Sequence, residues 1–348
     1  MNKSSITKYI IGALAIVFSI AAPVILADIY WTSVLILIGI NVLLTSSLRV
    51  IGLIGHISLG HVGFMLVGAY TSSLLVMKAD VPFGFALFAS GGLAGTLALI
   101  LGYPFLRVKG IYFAILTLLT AESLRLLAFN WRNLTGGPFG LMSIPAPGPI
   151  SISGLGQLQF ETAGAFYYLM LTVVGTSLLV LYRFERSRIG FIWQAIRETD
   201  KLASAVGVNT LFYKILNFSI GCFFAGMAGS LFAHFHHGLS ADTSSTFGVL
   251  TSIYLLIYMV VGGENQFSGP IVGALVLSLL SEFARPLQEY QPMMIGAIAI
   301  IVVLLLPKGL ASLPANIGKW AKDNNDARIA AKMVITSPEG SQNGSARS

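Results

Sequence analysis

The residues able to do chemistry are few and fall into small groups. His234, His236 and His237 cluster at the end of one apolar run, while Glu122 with Arg125 and Glu282 with Arg285 stand three residues apart near the ends of two others. His56, Ser58 and His61 lie inside the glycine-dense stretch GLIGHISLGHVGFMLVG, residues 52–68. Three imidazoles could hold a metal, yet no acidic or cysteine ligand stands at a diagnostic spacing, and an interfacial loop accounts for them as well. Cys222 is the single cysteine, so neither an intramolecular disulfide nor a cysteine metal cluster can form. No metal site is expected. There is no G-x-x-x-x-G-K-[ST] loop to cradle a nucleotide, no H-E-x-x-H, and no G-x-S-x-G around Ser58. The basic residues are not interleaved with an aromatic platform for nucleic acid. A transport subunit, a channel or secondary carrier, and a structural membrane protein are the classes left. An ion-driven carrier usually shows acidic or polar groups near the bilayer midplane, whereas Glu122 and Glu282 fall toward span ends.

The elements that must position these groups are read from hydropathy. Of 348 residues 55% are hydrophobic and 10% charged, with a mean hydropathy of +0.81. A soluble domain carries about 25% charged residues, so the chain reads as an all-α polytopic membrane protein. A crossing takes about 20 apolar residues. Ten candidate spans follow: 10–27, 31–48, 62–77, 83–106, 111–129, 163–182, 215–233, 247–261, 270–283 and 293–306. The first has a basic lead and no small-x-small cleavage site before Asp28, so it is read as a retained span. Residues 1–317 then form one transmembrane domain, and 318–348 a polar, disordered cytoplasmic tail. With the N-terminus inside, 17 of the 21 Lys and Arg residues fall on the cytoplasmic side, which predicts both termini in the cytoplasm.

One long polar segment breaks the apolar pattern. In residues 183–209, Ile189, Ile192, Trp193 and Ile196 recur at the spacing of one helical face. Asp200 interrupts that stripe and is expected to cap a second short helix ending at Gly207. Two short amphipathic helices joined by a bend are predicted, with an apolar face that must find cover on the bilayer, on another protein or on the underside of the chain's own spans. Between the second and third spans, Gly52, Gly55, Gly60, Gly63 and Gly68 permit either close helix packing or a broken helix beside a translocation path. Gly221, Ala225, Gly229 and Ala233 form a small-residue ridge, and Gly91/Gly95 and Gly269/Gly273 repeat the spacing. The two Glu–Arg pairs serve either as structural pairs at the outer interface or as a lining for the extracytoplasmic mouth.

Three stretches resemble one family, the LivM-type permease subunits of branched-chain amino acid ABC importers. SLGHVGFMLVGAY, residues 58–70, is similar to the family's S-L-G-H-x-x-F-x-x-x-G-A-Y, and LTGGPFGL, residues 134–141, to its external T-G-G-x-x-G-L. Gly190, Ala195, Ile196, Arg197, Glu198, Ala203, Ala205 and Gly207 are similar to its G-x-x-x-x-A-I-R-E followed by A-x-A-x-G; Thr199 and Ser204 depart from residues common there. The resemblance implies an ABC importer permease fold whose 183–209 unit is the cytoplasmic coupling helix. Gly190, Ala195, Ile196, Arg197, Glu198, Asp200, Ala203 and Gly207 would meet the ATPase. Ser58, Gly60, His61, Gly63 and Phe64 would border the translocation path, and Thr135, Gly136, Gly137 and Gly140 would shape an external loop. It further implies a second homologous permease, two cytoplasmic ATPases that use ATP and Mg, an extracytoplasmic solute-binding protein, and no cofactor in this chain. The solute could be leucine, isoleucine or valine, another amino acid, urea or a short amide; a self-contained secondary transporter or channel is the alternative.

Overall fold

The computed structural model describes residues 19–23, 28–108, 110–148, 150–152, 156–158, 160, 162–242, 246–287, 290–306 and 309–313. Most of the expected span 10–27 and the whole tail 318–348 lie outside these residues.

Among the described residues, six helices are long and apolar enough to cross a membrane: α1 (Ile29–Gly52), α2 (His61–Ala79), α3 (Phe83–Phe105), α4 (Ile111–Asn130), α5 (Ala163–Glu185) and α8 (Thr210–His236). Two short helices, α6 (Arg188–Glu198) and α7 (Asp200–Ala205), stand between α5 and α8. Three apolar helices of 14 to 16 residues follow: α9 (Val249–Gly262), α10 (Ser268–Phe283) and α11 (Gln291–Leu305). Apolar helices thus stand where the last three spans were expected, but each is short of a full straight crossing, which takes about 17–25 residues. Side-chain acceptors close several first turns. Asp28 accepts from Tyr30 N at 2.9 Å, Thr162 from Ala165 N at 3.3 Å and Asn209 from Phe212 N at 3.1 Å. His237 ends α8 in the left-handed conformation (φ 55°).

Helix α8 is the hub, packed against α1, α2 and α3. Small residues decide this arrangement. A Cβ on Gly229 would lie 2.0 Å from the Met65 carbonyl oxygen, and one on Gly68 would lie 2.2 Å from that of Gly226. The backbones thus touch directly, which replaces the hydrophobic drive that lipid does not supply. Of the expected ridge, Gly221 meets Ile51, and Ala225 and Ala233 are fully buried. Gly91 and Gly95 face Phe223 and Ser219 of α8, while Gly269 and Gly273 face the end of α9.

Polar groups inside the bundle are tied across helices. Ser230 Oγ donates to Ser72 Oγ at 2.7 Å, Ser72 Oγ lies 3.0 Å from His234 Nε2, and His234 Nδ1 lies 2.8 Å from the Pro145 carbonyl. The three histidines do not converge. His236 stacks on Phe232, and His237 Nδ1 reaches the Ile144 carbonyl at 2.9 Å.

The helix ends sort into two groups. Residues 53–60, 186–209 and 263–267 gather at one end, and 80–82, 131–142 and 237–242 at the other. At the second end β1 (Leu141–Met142) pairs antiparallel with β4 (Gly238–Leu239), and β2 (Ile150–Ile152) with β3 (Gly156–Leu158). Both expected ion pairs form there. Arg125 reaches Glu122 at 2.5 Å and the Ala241 carbonyl at 2.6 Å, and Arg285 reaches Glu282 at 3.0 Å, with Tyr30 also bound to Glu282.

Candidate functional site: the amphipathic elbow and the span ends beneath it

Helices α6 and α7 form the expected elbow. The apolar stripe of α6 turns inward. Trp193 is fully buried and its Nε1 donates to the Tyr213 carbonyl at 3.0 Å, Ile196 is buried, and Ile189 and Ile192 pack at the edge of the core. Of the covers open to this face, which were the bilayer, another protein and the underside of the chain's own spans, the structure has the last: α5 and α8 cover it. Ile196, expected to touch a partner, points into its own bundle. Gly190 is also internal, since a Cβ there would lie 2.0 Å from the Glu185 carbonyl oxygen. Ala203 is buried, whereas Ala195 and Glu198 face outward.

Asp200 needs a second correction. It is the first residue of α7, not its cap, and Thr199 holds the extended position before it. The Asp200 carboxylate instead takes Lys214 Nζ at 2.6 Å. Lys214 is buried on α8, and a buried ammonium has a stronger claim on a carboxylate than an exposed helix start does. Gly207 does end the segment, at φ 88°, and lets Val208 N return to the Ala203 carbonyl at 3.1 Å.

Beneath the elbow lies a charged network that sequence spacing does not reveal. Arg49, at the end of α1, grips Glu185, at the end of α5, through Nη1 and Nη2 at 2.7 and 2.8 Å. Its Nε donates to the Glu264 carbonyl at 2.7 Å, and its guanidinium lies 5.9 Å from the Phe267 ring centroid. The Glu264 side chain in turn takes Arg197 Nη2 at 2.6 Å, and the Arg197 stem rests 3.4 Å from where a Cβ on Gly55 would sit. One connected set of contacts thus links the elbow to α1, α5 and the turn between α9 and α10. Three apolar side chains of the elbow remain on its outer side: Phe191, Leu202 and Val206.

The glycine-dense stretch breaks the helix as read. Helix α1 ends at Gly52 and α2 begins at His61. A Cβ on Gly60 would lie 2.3 Å from the Thr117 carbonyl oxygen, and one on Gly63 would lie 2.6 Å from Ala121 Cα. Both glycines therefore serve contact with α4. Ser58 is buried, with its Oγ 3.3 Å from Gly60 N. His61 Nε2 lies 2.7 Å from Ser47 Oγ, and Phe64 sets its ring edge to face with Phe218. At the opposite end Gly136, Gly137 and Gly140 all have positive φ. A Cβ on Gly140 would lie 1.9 Å from the Leu239 carbonyl oxygen, and Thr135 Oγ1 lies 2.5 Å from that of Ala128. The T-G-G-x-x-G-L run is thus a tight backbone knot that joins the α4 end to β4.

A cavity of about 220 Å³ lies between α1, α2, α8 and α9. Met65 lines it, but Ser58, Gly60, His61, Gly63 and Phe64 do not.

A family model described as the permease component of the branched-chain amino acid transport system matches residues 29–304. The high-affinity branched-chain amino acid transport system permease protein LivM of Escherichia coli K12 is 33% identical over 78% of this chain and 66% of its own length. LivM of Salmonella typhimurium LT2 is 32% identical over the same shares. LivH of E. coli K12, a permease protein of the same transport system by name, is 24% identical over 76% of this chain and 88% of its own. The chain therefore spans just under two thirds of the length of the LivM proteins it matches. No solved structure matches it.

Proposed function

Because the chain belongs to the branched-chain amino acid transport permease family, we propose that it is the membrane subunit of an ATP-driven importer for branched-chain or related amino acids. Separate ATPases would supply the energy from ATP and Mg, a second homologous permease would complete the path, and an extracytoplasmic binding protein would deliver the solute. The observation that carries this reading is the elbow, pinned by its inner face to the span ends while Phe191, Leu202 and Val206 stay outward. A segment that only coated the bilayer would need no connection from Arg197 through Glu264 to Arg49 and Glu185. A pushed elbow does need one, since rigid contacts carry displacement from one element to the next. Here the elbow is the coupling helix, the expected ten spans include the three short apolar helices, and the excess of Lys and Arg orients the elbow and both termini toward the cytoplasm.

Two measurements test this. Uptake of labelled leucine into proteoliposomes is expected to require the ATPase chains and ATP; robust uptake by this chain alone on a proton or sodium gradient would overturn the reading. In a Cys222→Ser background, Val206→Cys is expected to crosslink to the ATPase in a nucleotide-dependent manner. Normal assembly with no crosslink in any nucleotide state would remove the elbow from the mechanism.

A further inference from the structure

We propose that the outer face of the corner between α5 and α6 is a binding site for an anionic phospholipid, with an acyl chain in the groove there and the phosphate against three arginines. The groove is open and holds about 460 Å³; Leu179, Val180, Arg183, Phe184, Ser187 and Ile189 line it. Leu179, Val180, Arg183 and Phe184 share one face of α5, because side chains four apart are helical neighbours. The bundle does not cover that face: Leu179 is 66% exposed and Val180 43%. Since α5 is long and apolar enough to cross a membrane, the face lies among acyl chains. Leu179 stands six residues before Glu185, the end of α5, which is about 9 Å at 1.5 Å per residue. The groove therefore runs from the acyl region to the headgroup boundary, a depth of about 5–10 Å.

The end of the groove carries charge that the protein leaves unmatched. Arg183 lines it, and Arg186 and Arg188 stand on either side of Ser187 in the sequence. All three are exposed, and among the described residues none of them forms an ion pair. The one acid between them, Glu185, is turned inward and held by Arg49, so it does not neutralise them. Arg186 lies over the Tyr182 ring, 4.8 Å from its centroid, a contact that leaves its N–H groups free for an anion. Ser187 spends its hydroxyl on the Phe184 carbonyl at 2.7 Å. The first turn of α6 is thus left without a side-chain acceptor. A phosphate at this corner would take guanidinium hydrogen bonds beside a positive helix end.

Orienting the chain in the bilayer asks for basic residues but not for an apolar groove beside them. A free phosphate satisfies the arginines and leaves the groove empty. A neutral phospholipid fills the groove and leaves the arginines unmatched. Only an anionic phospholipid satisfies both, and basic residues just outside a span are the usual mark of one. A second apolar groove, of about 440 Å³ between α2, α3 and α4, supplies the contrast, since no basic residue lines it. Ile189 belongs to α6, so the lipid would bridge the span and the elbow. The assignment does not depend on the transport reading above.

The test places the full chain, with and without its partner subunits, in phosphatidylcholine vesicles. The vesicles are doped with phosphatidylglycerol or phosphatidylcholine bearing a diazirine in one acyl chain, and photolabelling is mapped by peptide mass. At residues 179–189 phosphatidylglycerol is expected to label at least tenfold more than phosphatidylcholine, whereas the groove between α2, α3 and α4 labels equally with both. Arg183→Gln, Arg186→Gln and Arg188→Gln together are expected to remove that preference, on a scale of about fivefold per arginine. Val180→Trp fills the groove and keeps every charge, so it reads the site even if the triple variant fails to insert; its phosphatidylglycerol labelling is expected to fall at least fivefold. Equal labelling by the two lipids at 179–189, or undiminished labelling in Val180→Trp, would overturn the assignment. Competition by inorganic phosphate at constant ionic strength would assign the arginines to a free anion and overturn it too. Loss of labelling once the partner subunits are present would show that a protein covers this face, with the same consequence.

Discussion

Replacing Arg49 by Ala tests the network beneath the elbow most directly. Every nitrogen of its guanidinium is engaged, two on Glu185 and one on the Glu264 carbonyl. The pair is sealed: the Arg49 and Glu185 side chains are 3% and 16% exposed. Removing the cation alone leaves a carboxylate with little water and no partner, which costs about 3–5 kcal/mol. At 1.4 kcal/mol per decade that is a hundred- to several-thousand-fold loss in the folded-to-unfolded ratio. Removing both charges with Arg49→Met and Glu185→Leu is expected to return most of the loss, because an apolar pair of similar volume is about neutral there. The Arg197–Glu264 pair provides the contrast. Its side chains are 32% and 40% exposed, so Arg197→Ala should cost no more than about 1 kcal/mol. Unfolding titrations with SDS in mixed micelles would compare the three variants with the parent chain. A loss below about 1 kcal/mol for Arg49→Ala, or a double variant less stable than Arg49→Ala, would refute the reasoning.

Three further outcomes are expected. Arg197→Glu should lower ATP-coupled uptake while the protein stays folded, and Glu264→Arg in the same chain should restore it; a failure to restore would mean that the partner of Arg197 lies outside this chain. Gly229→Leu should block folding or assembly, since it must enter the space of the Met65 backbone, whereas Gly175→Leu, with nothing within 4 Å, should be tolerated; equal expression and heat stability of the two would dismiss the packing argument. Trp193→Ala should destabilise by about 3–5 kcal/mol, the usual range for a buried aromatic; a change under about 1 kcal/mol in the same SDS titration would show that the elbow is not anchored by its inner face.

What was legible in the sequence was local. Apolar runs located the long helices, the spacing of Ile189, Ile192, Trp193 and Ile196 showed a single face, and the resemblance of 134–141 pointed to a loop, though not to the positive φ of its glycines. Periodicity says which side chains share a face but not what covers it, so the inward packing of Ile196 was not readable. Asp200 looked like a cap because its competitor, Lys214, sits one helix further on. Arg49 read as one more cytoplasmic charge, since its partner Glu185 is 136 residues away. Asn41 was a single polar residue in an apolar run, and the Ser278 that it binds, 237 residues later, leaves no pattern beside it. Long-range pairs are set by the packing of the bundle, which in turn depends on the glycine contacts of α8.

That central position of α8 also dictates a schedule for biogenesis. The helices that surround it, α1 to α3, are complete by Phe105, yet α8 begins only at Thr210. At about 5–20 residues per second, the ribosome needs roughly 5–20 s to deliver the hub. During that interval the α2 face bearing Gly68 and Ser72 and the α3 face bearing Ser90 must wait in lipid, or against an insertion factor, without the surface they are shaped for. A nascent chain arrested between residues 105 and 210 is therefore the form of this protein most exposed to membrane quality control.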